Sequence, residues 1–189
     1  MPTSSRSLRV QKMEELQKRK PIRLKGYDYS QNGYYFITIC VKDRQELLGV
    51  VVVGDDAHIV PPDTATEKYV QLSEYGKITQ KYIERINLVY EGASVPKYII
   101  MPNHLHLIIA LNHSTGRCGH RPLQSKMIPS IVSSLKTLIS KEFGFSPWQR
   151  SFHDHVIRSG AEYLKIWNYI DSNPLTWGED KYFCGGEVK

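Results

Sequence analysis

Residues 102–111 read Pro-Asn-His-Leu-His-Leu-Ile-Ile-Ala-Leu, an apolar run that is interrupted by two histidines. Such a run predicts a buried β-strand. Because alternate side chains of a strand share a face, His104 and His106 are expected to point in the same direction. Two neutral imidazoles side by side on a rigid strand make half of a divalent-metal site. The alternative is that both are structural histidines, in the core or at a sheet edge, whose ring nitrogens are hydrogen-bonded within the protein, because two ligands alone do not make a metal site.

Further strand and helix signals lie on both sides of this stretch. Residues 34–41 are rich in β-branched and aromatic residues and predict a central strand. The short link at residues 101–103 joins a strand at 95–101 to the histidine strand, which favours an antiparallel hairpin. The other predicted elements are a Val-rich strand at 47–53 and helices at 73–90, 128–143 and 162–172. This order predicts an α+β fold of ferredoxin-like or RRM-like type, an antiparallel sheet with the helices packed on one face.

The first two predicted helices each carry a stripe of apolar residues at helical spacing. Ser73 is the predicted N-cap of the first helix. The second helix is expected to begin at Pro129 or Ser130. The residues that should be buried are Ile78, Tyr82, Ile86 and Val89 in the first helix and Ile131, Leu135, Leu138 and Ile139 in the second.

The composition limits the class of protein. A chain of 189 residues forms one domain, predicted at 21–182, with a loosely ordered basic arm at 1–20 and a tail at 183–189. Three scattered cysteines are no disulfide framework, which fits a reducing cytoplasm. No run is apolar enough for a signal core or a membrane span, so we expect no membrane association.

The positive charge is concentrated at the N-terminus. The formal net charge is +6, and basic domains attract polyanions such as nucleic acid. Arg23 and Lys25 belong to a run of cations that is followed by tyrosines at 27, 29, 34 and 35. Cations and aromatic rings together can neutralise phosphates and stack bases. The alternative is a disordered basic tail followed by core tyrosines.

The last predicted helix carries two residues that could complete the site. Tyr169 and Asn173 stand four apart, so they share a helix face one turn from each other. An amide oxygen is a hard ligand, and a phenol can act as a nucleophile. If this helix packs over the histidine strand, Asn173 could be a third ligand, with Tyr169 close to the same ion. The alternatives are an aromatic core residue and a helix C-cap before Pro174, and spacing does not decide between them.

This set of residues suits phosphodiester cleavage. Three protein ligands leave coordination positions open for a scissile phosphate, which Tyr169 would attack in line. Because a phenol has a pKa of about 10, the attack needs deprotonation or a nearby positive charge. His155, Arg158 and Lys165 are candidates for that role.

Three motifs resemble those of a known family. His104-Leu105-His106 resembles the His-hydrophobic-His motif of the HUH endonucleases. The stretch 148–158 (Trp-Gln-Arg-Ser-Phe-His-Asp-His-Val-Ile-Arg), followed by Tyr169-x-x-x-Asn173-Pro174, is similar to the REP-associated tyrosine transposases, as is the opening segment 22–30. These are relatives of the single-tyrosine insertion-sequence transposases, and the resemblance covers roughly residues 21–182.

The resemblance implies an RRM-like HUH nuclease fold. It also implies an enzyme that nicks and rejoins single-stranded DNA beside a palindromic hairpin through a 5′-phosphotyrosine intermediate. It implies His104, His106 and Asn173 as ligands of Mg²⁺ or Mn²⁺ and Tyr169 as the nucleophile; the insertion-sequence relatives usually carry Gln at the place of Asn173. We expect contacts to DNA from Arg23, Lys25, Arg150, His155, Arg158 and Lys165.

The rival hypothesis is a domesticated DNA-binding protein that keeps the fold but does not catalyse a reaction. Whether Tyr169 serves its own chain or a second copy in a homodimer stays open.

Overall fold

The computed structural model describes residues 26–54, 68–112 and 127–184. Within these ranges the chain forms six strands, three α-helices and two short 3-10 helices. The strands are β1 (Gly33–Cys40), β2 (Gly49–Val53), β3 (Lys68–Leu72), β4 (Ala93–Met101), β5 (His104–Leu111) and β6 (His153–Ile157). The helices are α1 (Glu74–Val89), α2 (Met127–Phe143) and α3 (Gly160–Ser172), and the 3-10 turns are Lys42–Arg44 and Trp177–Glu179.

The main sheet has four antiparallel strands in the order β4-β5-β1-β6. The predicted hairpin is confirmed, because β4 and β5 pair directly and only residues 102 and 103 separate them. The histidine strand β5 is therefore an inner strand, with Thr38 of β1 opposite His106 and Cys40 opposite His104. The Val-rich strand β2 pairs with β3 in a separate two-stranded sheet.

The two faces of the main sheet are covered by different helices. Side chains at odd positions of β1 and β5, such as Ile37 and Leu107, pack in one core cluster with apolar residues of α1 and α2. Residues at even positions point the other way, and Ile108 packs there against Ile170 of α3. The α+β class is confirmed, but the prediction that all helices lie on one face is wrong. Helix α3 covers the face that carries the two histidines.

Helix α1 shows which parts of the helix predictions were correct. The Ser73 hydroxyl accepts a hydrogen bond from the Gly76 amide at 3.1 Å, so the predicted N-cap is confirmed. The buried residues of α1 are Gly76, Thr79, Ile83 and Ile86, so of the predicted stripe Ile86 is buried, Ile78 and Tyr82 are half-buried and Val89 is exposed. The stripe was displaced because the helix must present its small Gly76 to the backbone of Leu48, against which a larger residue would collide.

Helix α2 begins at Met127, earlier than the predicted start at Pro129 or Ser130. A proline is tolerated in the first turn of a helix, so Pro129 lies inside it without breaking it. Ile131, Leu135 and Ile139 are buried as predicted, whereas Leu138 is exposed. None of the three described α-helices combines the length and the apolar character that crossing a membrane would need.

Candidate active site

The two histidines of β5 lie side by side on the sheet face under α3. His104 and His106 are completely buried, with 0% and 1% of their surface exposed. The His104 Nδ1 lies 2.9 Å from the Asn103 Oδ1. The Asn103 amide is oriented by the hydrogen bond that its Nδ2 donates to the Tyr182 carbonyl at 2.8 Å, so its Oδ1 accepts a hydrogen bond from His104 Nδ1–H. His104 Nε2 is therefore unprotonated, and its lone pair is available to bind a cation.

His106 is held in the same way from the neighbouring strand. Its Nδ1 lies 2.9 Å from the hydroxyl of Thr38, which is its register partner on β1. The two Nε2 atoms of His104 and His106 are only 3.0 Å apart. When both rings carry their proton on Nδ1, two lone pairs point into one small space. That arrangement is favourable when a cation lies between them.

Aromatic rings around the histidines exclude water. His104 contacts the rings of Trp177 and Tyr182, with centroid distances of 5.9 and 4.5 Å. His106 is stacked on Phe36 at 5.1 Å. Burial in this environment lowers the pKa of His104 to about 4 and holds the pKa of His106 well below its usual value. Both imidazoles are therefore neutral at pH 7, which is the form that binds metal ions.

Helix α3 is fixed against the sheet at its N-terminus. The sequence Ser159-Gly-Ala-Glu162 is a capping-box pattern, and the Ser159 hydroxyl accepts the Glu162 amide at 3.1 Å. The Glu162 carboxylate accepts the Arg158 amide at 2.7 Å and contacts His155 Nε2 of β6 at 2.6 Å. This end of the helix is thus tied to the edge strand. Two turns later Tyr169 faces the histidines.

Tyr169 lies next to the histidines of its own chain. Its Oη is 3.2 Å from His106 Nε2 and 3.5 Å from a carboxylate oxygen of Asp180. Burial is the main cause that raises the pKa of Tyr169 to about 12, and the negative charge of Asp180 adds to it. The phenol is therefore protonated at neutral pH in the absence of a cation.

Asp180 was missed by the sequence analysis. It follows the 3-10 turn Trp177–Glu179, and its carboxylate accepts the Tyr182 amide at 2.7 Å. One ligand atom each from His104, His106 and Asp180 lie within 4.8 Å of one another. An isolated aspartate after a turn carries no pattern in the sequence. The only available signal was its position seven residues after Asn173, and that distance has no structural meaning until the path of the chain is known.

Asn173 reaches the same cluster. It is completely buried, and its Nδ2 donates to the Asp180 carboxylate at 3.1 Å. Its Oδ1 is buried and has no hydrogen-bond partner among the residues that the structure describes. Buried acceptors are rarely left without a donor, so an oxygen of this kind is an expected feature of a cation site. Two imidazoles, one carboxylate and one amide oxygen fit a divalent ion.

The other predicted residues are distributed around the site. His155 and Lys165 line the open cleft of about 770 Å³ that also contains His106, Tyr169 and Asp180. Arg158 is exposed at the start of α3 and does not line that cleft. Arg150 lines a separate groove between α2 and the segment that precedes β6. Arg23 and Lys25 lie outside the described residues.

The comparisons with known proteins agree with this fold. No protein-family model matches the chain. An uncharacterized protein of Haemophilus influenzae (strain ATCC 51907 / DSM 11121 / KW20 / Rd) is 33% identical in an alignment of 182 positions that covers 87% of this chain and 93% of that protein. A REP-associated tyrosine transposase solved in complex with a REP hairpin is similar in structure, with a TM-score of 0.54 and 18% identity over 84% of this chain and 77% of the other. A provisionally assigned transposase from Deinococcus radiodurans R1 aligns with a TM-score of 0.41 and 17% identity over 79% and 97% of the two chains. The predicted resemblance to REP-associated tyrosine transposases is confirmed for the fold.

Proposed function

The chain belongs to the same family as the Haemophilus influenzae protein and has the fold of a REP-associated tyrosine transposase, and from this premise we propose that it nicks and rejoins single-stranded DNA beside hairpins. The observation that carries the proposal is the position of the Tyr169 Oη, 3.2 Å from His106 Nε2 and beside the Asp180 carboxylate. A structural tyrosine needs no pair of neutral buried histidines in front of its hydroxyl.

The reaction is a transesterification at phosphorus. The Tyr169 oxygen forms a bond to the phosphorus, the bond to the 3′-oxygen breaks, and a 5′-phosphotyrosine results. The phenol proton leaves to solvent water, and the departing 3′-oxygen takes a proton from solvent to become a hydroxyl. Because one phosphate ester replaces another, the energy of the bond is kept and the reverse step rejoins a strand.

The residues that would hold a divalent cation are His104, His106, Asp180 and Asn173. A bound ion would neutralise charge on the phosphate oxygens and oppose the Asp180 charge that raises the pKa of Tyr169. Two imidazoles in the ligand set favour Mn²⁺ over Mg²⁺, which prefers oxygen ligands. Asn103 and Thr38 orient the two rings, and Asn173 orients the Asp180 carboxylate.

Hairpin DNA is the proposed substrate. The transposase of similar fold was solved with a REP hairpin. The cleft in front of Tyr169 is open and contains the cations Lys165 and Lys181 beside three carboxylates, those of Glu162, Glu179 and Asp180. His155 contacts Glu162 and lies in the same cleft, where it would contact the strand. An open cleft suits a flexible single strand, which must bring one phosphate to Tyr169.

The test is the formation of a covalent adduct. The protein is incubated with Mn²⁺ or Mg²⁺ and labelled single-stranded hairpin DNA from the flanks of its gene, and the products are separated under denaturing conditions. We expect an adduct with the wild type and with Tyr163→Phe, which removes a hydroxyl from the same helix away from the histidines. Tyr169→Phe should bind DNA with unchanged affinity and form no adduct.

Two outcomes would contradict the proposal. An adduct formed by Tyr169→Phe would move the nucleophile to another residue. DNA binding without an adduct in the wild type, with both ions and several flanking hairpins, would favour the domesticated DNA-binding protein. The change to Phe should cost the fold only about 1 kcal/mol, because the hydroxyl makes two long hydrogen bonds in a half-buried position.

A further inference from the structure

A second concave surface lies away from the Tyr169 cleft. It begins as a cavity of about 470 Å³ between α2 and the segment 146–152. It continues into a groove of about 1250 Å³ that shares residues 148–152 and reaches the end of β1. We call the two together the α2 groove. Cys40 and His153 lie at its far end. Cys40 is two residues after Thr38 on β1, and His153 lies opposite Thr38 on β6, so both belong to the sheet face that carries His104 and His106.

The cavity part of the α2 groove is rich in hydrogen-bond donors. Lys136 and Arg150 supply positive charge, and five hydroxyl side chains, among them Ser133 and Ser151, lie around them. None of the described residues that line this cavity carries a carboxylate. The wall also contains Trp148, whose indole N–H is buried and has no acceptor among the described residues. This environment suits an anion, because the charged groups among the described lining residues are both cations.

The donors are fixed in place by the fold. The Lys136 ammonium donates to the carbonyls of Gln149 at 2.6 Å and Ser151 at 3.3 Å, which sets the shape of the segment that carries Arg150. An ammonium has three donors, so one remains for a ligand. At the other end of the groove, the backbone at Asp43 and Arg44 has φ values of 54° each, a left-handed conformation that costs energy in residues other than glycine.

The turn at Arg44 is connected to the histidine pair. The Asn103 amide donates to the Arg44 carbonyl at 3.3 Å, while its oxygen accepts from His104. The cations Lys42 and Arg44 extend the positive lining of the groove toward that end, with Asp43 as the one carboxylate among its described lining residues. Cationic side chains therefore occur along the groove from α2 to the turn at Arg44.

We propose that the α2 groove binds backbone phosphates of the DNA substrate, in a part of the strand several nucleotides away from the scissile phosphate. Arg150 and Lys136 would make the principal contacts. The proposal rests on the proposed function, because it extends the path of the same strand. Phosphate contacts of this kind fix the register of a strand and carry no base specificity. They would hold the DNA in place while Tyr169 reacts with one phosphate.

The test compares two lengths of DNA and matched variants. Binding of single-stranded oligonucleotides of about 5 and about 20 nucleotides, below and above the usual size of a single-strand site, is measured by fluorescence anisotropy at several salt concentrations. Arg150→Gln should weaken binding of the longer strand about five- to tenfold and lower the slope of log K against log salt by about 0.7. Arg85→Gln removes the same charge from the exposed part of α1 and should leave both unchanged.

A second pair of variants tests the cavity itself. Ser133 is exposed on α2 and lines the cavity, so Ser133→Asp places a carboxylate in it without disturbing the core. We expect this variant to bind the longer strand at least as weakly as Arg150→Gln, whereas Ser133→Asn should bind as the wild type does. Binding of the short strand should be the same in all variants.

The outcomes separate this proposal from the proposed function. If the wild type forms the covalent adduct and Arg150→Gln behaves as Arg85→Gln, the α2 groove is not part of the DNA path. If Arg150→Gln and Ser133→Asp weaken binding of the longer strand but the wild type forms no covalent adduct, the groove is supported and the nuclease assignment fails. If the wild type binds neither strand, both proposals are overturned.

Discussion

Replacement of Asp180 by asparagine tests the part of the candidate site that only the tertiary structure brought together. The carboxylate lies within 4.8 Å of the ligand atoms of His104 and His106. Asp180→Asn keeps the size of the side chain and removes its charge. We expect the affinity for Mn²⁺ to fall by about a factor of 100 or more, because the loss of a group that only supports a ligand already costs up to about 100-fold and Asp180 is proposed as a ligand itself.

The metal-free protein should tolerate this change. In the wild type the Asp180 carboxylate accepts from the Tyr182 amide and from Asn173 Nδ2. In the variant the remaining oxygen can keep the shorter bond to Tyr182. The new amide group then faces Asn173, whose Oδ1 has no partner among the described residues and can accept from it once the Asn173 amide turns over. One hydrogen bond replaces another, so the free energy of unfolding should change by less than about 1 kcal/mol.

The assay is thermal unfolding with and without Mn²⁺. At a concentration of 100 times its own dissociation constant, the ion stabilises the wild type by about 2.7 kcal/mol, whereas a variant with 100-fold weaker affinity gains about 0.4 kcal/mol. For a domain of this size the difference of about 2.3 kcal/mol corresponds to about 5–9 °C in Tm. Glu179→Gln is the control, because Glu179 lines the same cleft and lies outside the His–His–Asp group. Equal stabilisation by Mn²⁺ of the wild type and both variants would refute Asp180 as a ligand.

Two further predictions concern the fold around the site. Because the pKa of His104 is lowered to about 4, the unfolded chain binds a proton below about pH 6.5 that the folded protein excludes. The free energy of unfolding of the metal-free protein should therefore fall, by on the order of 3 kcal/mol, as the pH decreases from about 6.5 to about 4. Urea titrations of the wild type and of His104→Gln measure this, and equal pH dependence in both would show that another group is responsible. Gly76→Ala would place a methyl group 2.1 Å from the Leu48 carbonyl oxygen, at a cost of about 3 kcal/mol or more in urea unfolding. Gly160→Ala, which meets nothing within 4 Å, is its control, and similar midpoints for the two variants would show that the backbone at Leu48 moves aside.

Local patterns in the sequence determined the elements of this protein. The apolar run at residues 104–111 predicted a strand with both histidines on one face. The four-residue spacing of Tyr169 and Asn173 predicted that they share a helix face, and Asn173 continues that face as the C-cap of α3 because its backbone angles are helical. The Ser73 cap and the tight link at residues 102–103 were equally readable. These features depend on the spacing of residues within a single helix, strand or turn, and that spacing can be read directly from the sequence.

The tertiary structure decided which faces meet. Helix α3 lies on the opposite face from α1 and α2 because Ile108 and Ile170 pack there, and an apolar stripe on a helix does not say which face of a sheet it will cover. The same packing places Tyr169 against the histidines of its own chain. Asp180 reaches them because the chain turns back after Pro174 through a 3-10 turn with Trp177 in the core. Residues 104 and 180 meet through the packing of the whole chain between them, and no periodicity within either segment encodes that contact.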